Sequence, residues 1–254
     1  MTRIAHATDI HCFVPPPLST LASKRLLGTA NLYLRNRRAH FSPDVQARLA
    51  RDLLAVEADA VVITGDLTAQ ALAEEFAIAR ELLQPVLDAV PTLIQAGNHD
   101  VYTGGSYRER RIHTWFADWM NLDEGAVIAR FDVGRATVLG LDPNRPHWSA
   151  SGKLPQDQLD ALEATLADPD LADRTVILAQ HYPVVDRRGE VYDNGSHGLR
   201  NANALLSILR AAPKKPAALL HGHKHHGFRA QVDLGDGHVM QVFNPGASGY
   251  AYEP

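Results

Sequence analysis

Ala60-Val-Val-Ile-Thr-Gly-Asp-Leu-Thr68 is a short apolar run that stops on glycine and aspartate. Ala60 to Thr64 reads as a strand, Gly65-Asp66-Leu67-Thr68 as its polar end, and the residues from about Ala69 to Val90 as a helix. The same order recurs on both sides. Towards the N-terminus, Arg3 to Ala7 runs into Thr8-Asp9-Ile10-His11, and a helix over Val45 to Val56 starts at Ser42-Pro43-Asp44, with Ser42 as N-cap and Pro43 in the first turn. Towards the C-terminus, Thr92 to Ala96 ends in Gly97-Asn98-His99-Asp100, Thr175 to Ala179 in Gln180-His181-Tyr182-Pro183, and Ala217 to Leu220 in His221-Gly222-His223-Lys224-His225-His226. Strand, polar strand end, helix, repeated along the chain, is the signature of an α/β layered fold with parallel strands. Hairpins are expected around Val133-Gly134 and Gly235-Asp236-Gly237, and one helix over Arg108 to Met120, with Trp115, Phe116 and Trp119 on its packing face.

The 254 residues are 45% hydrophobic and 21% charged, enough for one large domain, residues 1–254, with a well-buried core. A net charge of -4 argues against general polyanion binding, so no specific nucleic-acid partner is expected. The single cysteine, Cys12, rules out an internal disulfide framework and fits a reducing compartment. No signal core and no run of about 20 apolar residues is present, which gives a soluble, cytoplasmic reading. Cys12 is expected to be a packed thiol, pointing away from its neighbour His11.

The polar strand ends collect Asp9, His11, Asp66, Asn98, His99, Asp100, His181, His221 and His223. Ligands of open α/β sheets gather beyond the carboxyl ends of the strands, so scattered segments can converge there. Asp9 and His11, like His221 and His223, are two residues apart and face one side of an extended chain. Imidazole nitrogens with carboxylate and amide oxygens, and no thiolate, suit zinc, iron or manganese. Seven such ligands exceed one tetrahedral ion, and Asp66 can bridge two ions about 3.5 to 4 Å apart. Two such cations acidify a bound water and neutralise a phosphoryl group under in-line attack, which points to phosphoester hydrolysis. His99 is placed to supply the proton for the leaving oxygen, with Asp100 next to it to orient the ring.

Taken in order, Asp9-Ile10-His11, Gly65-Asp66, Gly97-Asn98-His99-Asp100, His181 and His221-Gly222-His223 resemble the calcineurin-like metallophosphoesterase family, over residues 9 to 223. The resemblance implies a four-layer α/β/β/α sandwich of two mixed sheets flanked by helices. It implies two divalent or trivalent transition-metal ions (Mn, Fe or Zn), one on Asp9, His11, Asp66 and His223, the other on Asp66, Asn98, His181 and His221. His99 becomes the general acid or phosphate contact, with Asp100 as its partner, and His225 and His226 fall outside the ligand set. Gly65-Asp66-Leu67-Thr68 followed by Gly-Asn-His-Asp is most similar to the class III cyclic-nucleotide phosphodiesterase branch. The expected activity is attack of a metal-bound hydroxide on a cyclic nucleotide or similar small phosphodiester. The alternatives are a phosphomonoesterase, a UDP-linked lipid precursor pyrophosphatase at a membrane surface, whose branch usually has arginine at the position of His99, and a catalytically silent scaffold of the same fold.

Two stretches lie outside this constellation. Asn194, His197, Arg200 and Asn201, in or just after the long loop that follows His181, are candidate substrate contacts, against the plainer reading of loop polarity and helix capping. Residues 18–38 form a basic helical insertion with Lys24, Arg25, Arg35, Arg37 and Arg38 and no acid. Its readings, in order of preference, are a solvated amphipathic helix packed on the domain, a cap supplying cations to substrate phosphates, and a peripheral membrane contact.

Overall fold

The computed structural model describes residues 2–20, 24–34, 40–146, 149–192 and 195–251, the side chains of residues 31 and 32 excepted. Three strands, β1 (Ile4–Ala7), β2 (Ala60–Ile63) and β3 (Thr92–Ile94), form a parallel sheet in that order. Six more, β4 (Ala129–Val133), β5 (Ala136–Gly140), β6 (Thr175–Ala179), β7 (Ala218–Leu220), β8 (Phe228–Asp233) and β9 (Val239–Asn244), form a second sheet in the order β4-β5-β6-β7-β9-β8. The second sheet is mixed: β5, β6, β7 and β9 run parallel, and the two expected hairpins add antiparallel edges.

Four layers need three apolar seams, and three are present. Alternate residues of β2 separate them: Val61 and Ile63 face α2 (Pro43–Ala55) and α3 (Ala73–Ala89), whereas Ala60 and Val62 meet Phe131, Val138, Ala179 and Leu220 of the second sheet. On the far side, Val176 and Leu178 of β6 pack on α6 (Gln156–Leu166) and α7 (Ala202–Ala211). The sandwich is therefore α/β/β/α, with the mixed character confined to the larger sheet and the smaller parallel throughout. Ser42 caps α2 as expected, its hydroxyl accepting from Val45 N at 3.3 Å. Among the described residues no helix is long and apolar enough to cross a membrane.

Two helices differ from expectation. The helix expected from Ala69 begins only at Ala73, because Ala71 adopts a left-handed φ of 54° and Leu72 is extended. The helix expected over Arg108 to Met120 is split: α4 (Gly104–Arg108) and α5 (Arg111–Phe116) meet at Arg110, with φ 49°, and a 3-10 turn follows at Ala117–Trp119. Phe116 is nonetheless fully buried, with Trp115 and Trp119 packed around the same core.

Parallel pairing aligns the strand ends. Ala7, Ile63 and Ile94 are register partners across the small sheet, and Gly140, Ala179, Leu220 and Phe243 across the large one. The chain beyond β1 stays paired with the chain beyond β2, through Asp9 N to Gly65 O, His11 N to Asp66 O and Cys12 N to Leu67 O, each near 2.9 Å. Both sheets present these ends to one place: His181, just past β6, meets the carbonyl of Thr64, just past β2, at 2.8 Å.

Candidate metal centre

Asp9, His11 and Asp66 leave their strands in left-handed backbone, with φ of 53°, 54° and 56°. Non-glycine residues seldom hold that conformation, and such strain persists where the surroundings over-determine it. Here Gly97 packs flush on the Asp66 side chain, in a space that a Cβ would fill. Asp9 and His11 converge, with His11 Nε2 3.6 Å from Asp9 Oδ1, but through this turn of the backbone rather than by alternation along an extended chain.

Among the described residues three overlapping groups of donor atoms form, two of which share no residue. In one, Asp9 Oδ1, His11 Nε2 and His225 Nε2 stand 3.3 to 3.6 Å from one another. In the other, His181 Nε2 lies 3.3 Å from Asp66 Oδ2, 3.1 Å from Asn98 Oδ1 and 3.3 Å from His223 Nδ1, and Asn98 Oδ1 is 2.9 Å from His223 Nδ1. Asp66 Oδ2 is also 3.8 Å from His11 Nε2 and so joins the groups. Ligand atoms about 2.0 to 2.1 Å from one tetrahedral ion stand about 3.4 Å apart, so the spacing is that of two coordination shells sharing Asp66.

The surrounding hydrogen bonds fit cations as well. Asp9 Oδ2 accepts from Thr8 Oγ1 and His223 N, both at 2.9 Å, which leaves buried Oδ1 without a hydrogen-bond partner and facing the histidines. His181 donates Nδ1–H to Thr64 O, which presents the Nε2 lone pair to Asp66 and Asn98. Burial alone would raise the Asp66 carboxyl, yet His181, His99 and His11 hold it well below the usual range. Burial likewise opposes a charge on His181, and Asp66 overrides it, moving the ring up to about 9. Imidazole nitrogens with carboxylate and amide oxygens are a donor set that fits transition-metal ions.

The loop after β7 departs from expectation. His225, expected outside the ligand set, belongs to the Asp9 and His11 group; His223, expected there, belongs to the Asp66 and His181 group; His221, expected with His181, belongs to neither. β7 ends at Leu220 and His223 takes a left-handed φ of 68°, so side-chain alternation does not carry from His221 to His223. Gly222 lies flush on Thr8 and Asp9, where a Cβ would clash with the threonine hydroxyl. His221 is buried, directs Nδ1 to Gly222 O at 2.9 Å and packs on Phe228, ring centroids 5.3 Å apart.

Asp100 is also not where expected. Its carboxylate accepts from Gly97 N, Leu67 N, Thr68 N and Thr68 Oγ1, tying together the loops that carry Asp66 and Asn98 instead of orienting His99. His99 is fixed by its Nδ1, 2.5 Å from Ala69 O, and by stacking on Tyr102 at 5.3 Å, and its ring nitrogen groups with His11 and Asp66. Burial lowers its pKa to about 4. Asp66 Oδ1 accepts from His99 N at 2.7 Å, which locks the two ligand loops together.

Of the expected substrate contacts, His197 is exposed beside the centre, its ring 6.2 Å from that of His223. Arg200 is exposed and bound through its backbone to Gly152. Asn201 is occupied by Leu154, bonding its N–H and C=O at 3.0 Å. Asn194 lies outside the described residues. Cys12 is fully buried, its thiol pushed up to about 12 by that burial. The sequence reading did not single out the aromatic wall: Phe41 stacks on His11 at 5.5 Å and Tyr250 packs on His225 at 4.6 Å, joined by a β-bridge between two distant segments. Only long-range pairing brings those rings together, so no local motif announces them. Lys24, read as one charge of the basic segment, sits over Tyr102, Nζ 4.4 Å from the ring centroid.

Known proteins resemble this chain in sequence and in fold. The sequence profile of the calcineurin-like phosphoesterases matches residues 2–227. A probable cyclic nucleotide phosphodiesterase of Ruthia magnifica is 25% identical over 70% of this chain and 67% of its own, and one of Vesicomyosocius okutanii is 27% identical over 67% and 64%. The match thus spans about two thirds of each relative. A dimetal phosphatase from Danio rerio has the same fold, with TM-score 0.65 at 16% identity over 99% of this chain and 89% of that one. A purple acid phosphatase from yellow lupin superposes with TM-score 0.62 at 13% identity over the whole of this chain and 46% of its own. With the profile spanning nearly all of the strand ends that build the centre, the chain belongs to the calcineurin-like phosphoesterase family, metal-dependent hydrolases of phosphoester bonds.

Proposed function

We propose that the protein is a dinuclear-metal-dependent phosphodiesterase, acting on a cyclic nucleotide or another small phosphodiester. The observation that carries the reading is the pair of donor groups joined through Asp66, every member of which is buried or half-buried. Asp9, His11, Asp66 and His225 would hold one ion, and Asp66, Asn98, His181 and His223 the other. Bound there, two cations would acidify water for attack and neutralise the phosphoryl oxygens.

The chain's own residues do the remainder. Asp66 fixes the separation of the two halves, and His181, anchored on Thr64, keeps its ring from turning. His99 holds a proton at Nε2 for the leaving oxygen: a phosphodiester anion beside the ring raises its proton affinity above the low value that burial imposes. Phe41 and Tyr250 exclude water from the side of His11 and His225. The names of the two curated relatives favour a diester over a monoester. A complete ligand set speaks against a silent scaffold, which has no need to keep it.

The test is a panel of cyclic nucleotides, bis-aryl phosphate, aryl phosphate and UDP-linked lipid, assayed after reconstitution with manganese, iron or zinc, with Asn98→Ala as control. Turnover of the diesters that Asn98→Ala abolishes supports the reading. Cleavage of no phosphoester with any of these metals would sink it.

A further inference from the structure

Helix α1 (Lys24–Leu34) is turned inside out. Its polar residues face the protein: buried Arg25 donates Nε–H to Gln70 O at 3.1 Å and an Nη2 hydrogen to Ala71 O at 3.2 Å, and Thr29 hydrogen-bonds the Gln70 side chain. Gly28 lies so close to Tyr102 that a Cβ would collide with the phenol. Positions 24, 25, 28 and 29 share one side of a helix, and 26, 27, 33 and 34 lie on the other. That other side is apolar and faces solvent: Leu26 is 54% exposed, Leu27 62% and Leu34 85%, and Leu18 in the turn just before α1 is 86% exposed. Among the described residues ten large hydrophobic side chains are exposed, and five of them, counting Tyr33, fall between positions 18 and 34. The expected amphipathic helix does pack on the domain, but through its polar side.

We propose that this leucine face docks on a lipid bilayer rich in anionic headgroups. Charge selects that occupant. From Phe13 to Pro43 the sequence has no aspartate or glutamate and five lysines and arginines, whereas the chain as a whole carries -4. A second copy seated on the same face would oppose like charges across a two-fold axis. A helix with exposed leucines, followed in the sequence by Arg35, Arg37 and Arg38, matches the acyl–headgroup boundary of an anionic membrane, which takes both the apolar face and the charge. The same helix touches Tyr102, the ring on which His99 stacks, so docking would bring the membrane surface close to the metal centre. The inference stands independently of which phosphoester is hydrolysed.

Co-sedimentation with vesicles tests it, using phosphatidylcholine containing about one third phosphatidylglycerol, against phosphatidylcholine alone. The wild-type protein should pellet with the anionic vesicles and be released by high salt. Leu26→Ser/Leu27→Ser/Leu34→Ser should lower partitioning about tenfold or more, whereas Leu122→Ser, an exposed leucine elsewhere, should leave it unchanged. Circular dichroism and bis-aryl phosphate turnover of the triple variant, matching wild type, exclude misfolding. Failure of the wild type to pellet, or equal pelleting of wild type and triple variant, overturns the proposal. So does a wild-type dimer in sedimentation velocity that the triple variant loses, which would assign the face to a second copy.

Discussion

The two sheets bring their candidate ligands to the centre in different ways. On the parallel sheet, Asp9, Asp66 and Asn98 sit in loops braced to one another, by backbone pairing past the strand ends, by the Asp100 carboxylate, and by Asp66 Oδ1 on His99 N. On the mixed sheet, His223 and His225 follow a three-residue strand, and what aims them is one left-handed residue and one glycine packed on Thr8. Bracing makes the first half readable from spacing. In the second half, several histidines compete for two places and only the conformation past the strand end chooses among them.

The largest effect should come from the residue that joins the halves. Asp66→Asn is expected to empty both metal positions and lower kcat/KM by about a thousandfold or more, read by metal analysis and diester turnover. Retention of both metals would mean that the halves bind independently. His99→Gln tests a group that acts without ligating: both metals should stay, with kcat falling about a hundredfold for poor leaving groups and much less for aryl ones. Equal losses for both kinds of leaving group would remove its proton-donor role.

The bracing itself can be broken. Asp100→Ala leaves four donors of the ligand loops unsatisfied and should cost about 4 kcal/mol in urea denaturation, together with metal affinity. An unchanged midpoint would show that backbone pairing alone holds the parallel-sheet half. A smaller effect belongs to Glu75, buried behind the same loops and accepting from Val14 N, Gln70 N and Leu72 N. Burial pushes its carboxyl up to about 7, above the unfolded value of 4.5. Its contribution is thus fully present below pH 4.5 and lost as pH rises towards 7, by up to about 3 kcal/mol. Glu75→Gln should flatten that part of the stability profile; an unaltered slope would place the ionisation elsewhere.

Strand-then-helix order and the polar strand ends made the layered fold legible, because parallel pairing puts every such end on one edge. The gathering of Asp9, His11, Asp66, Asn98 and His181 at one place was legible for the same reason. Arg110, in left-handed backbone, and the reversed face of α1 were not, since both answer to neighbours far along the chain. Phe41 and Tyr250 share that origin. His221 stands apart from both donor groups for a more local cause: alternation along a strand says nothing once φ turns positive.

Metal stoichiometry after manganese reconstitution, compared between His225→Gln and His221→Gln, tests the two-group centre most directly. The geometry predicts about one equivalent in His225→Gln and about two in His221→Gln, as in the wild type. Loss of a metal from His221→Gln, with two retained in His225→Gln, would contradict it.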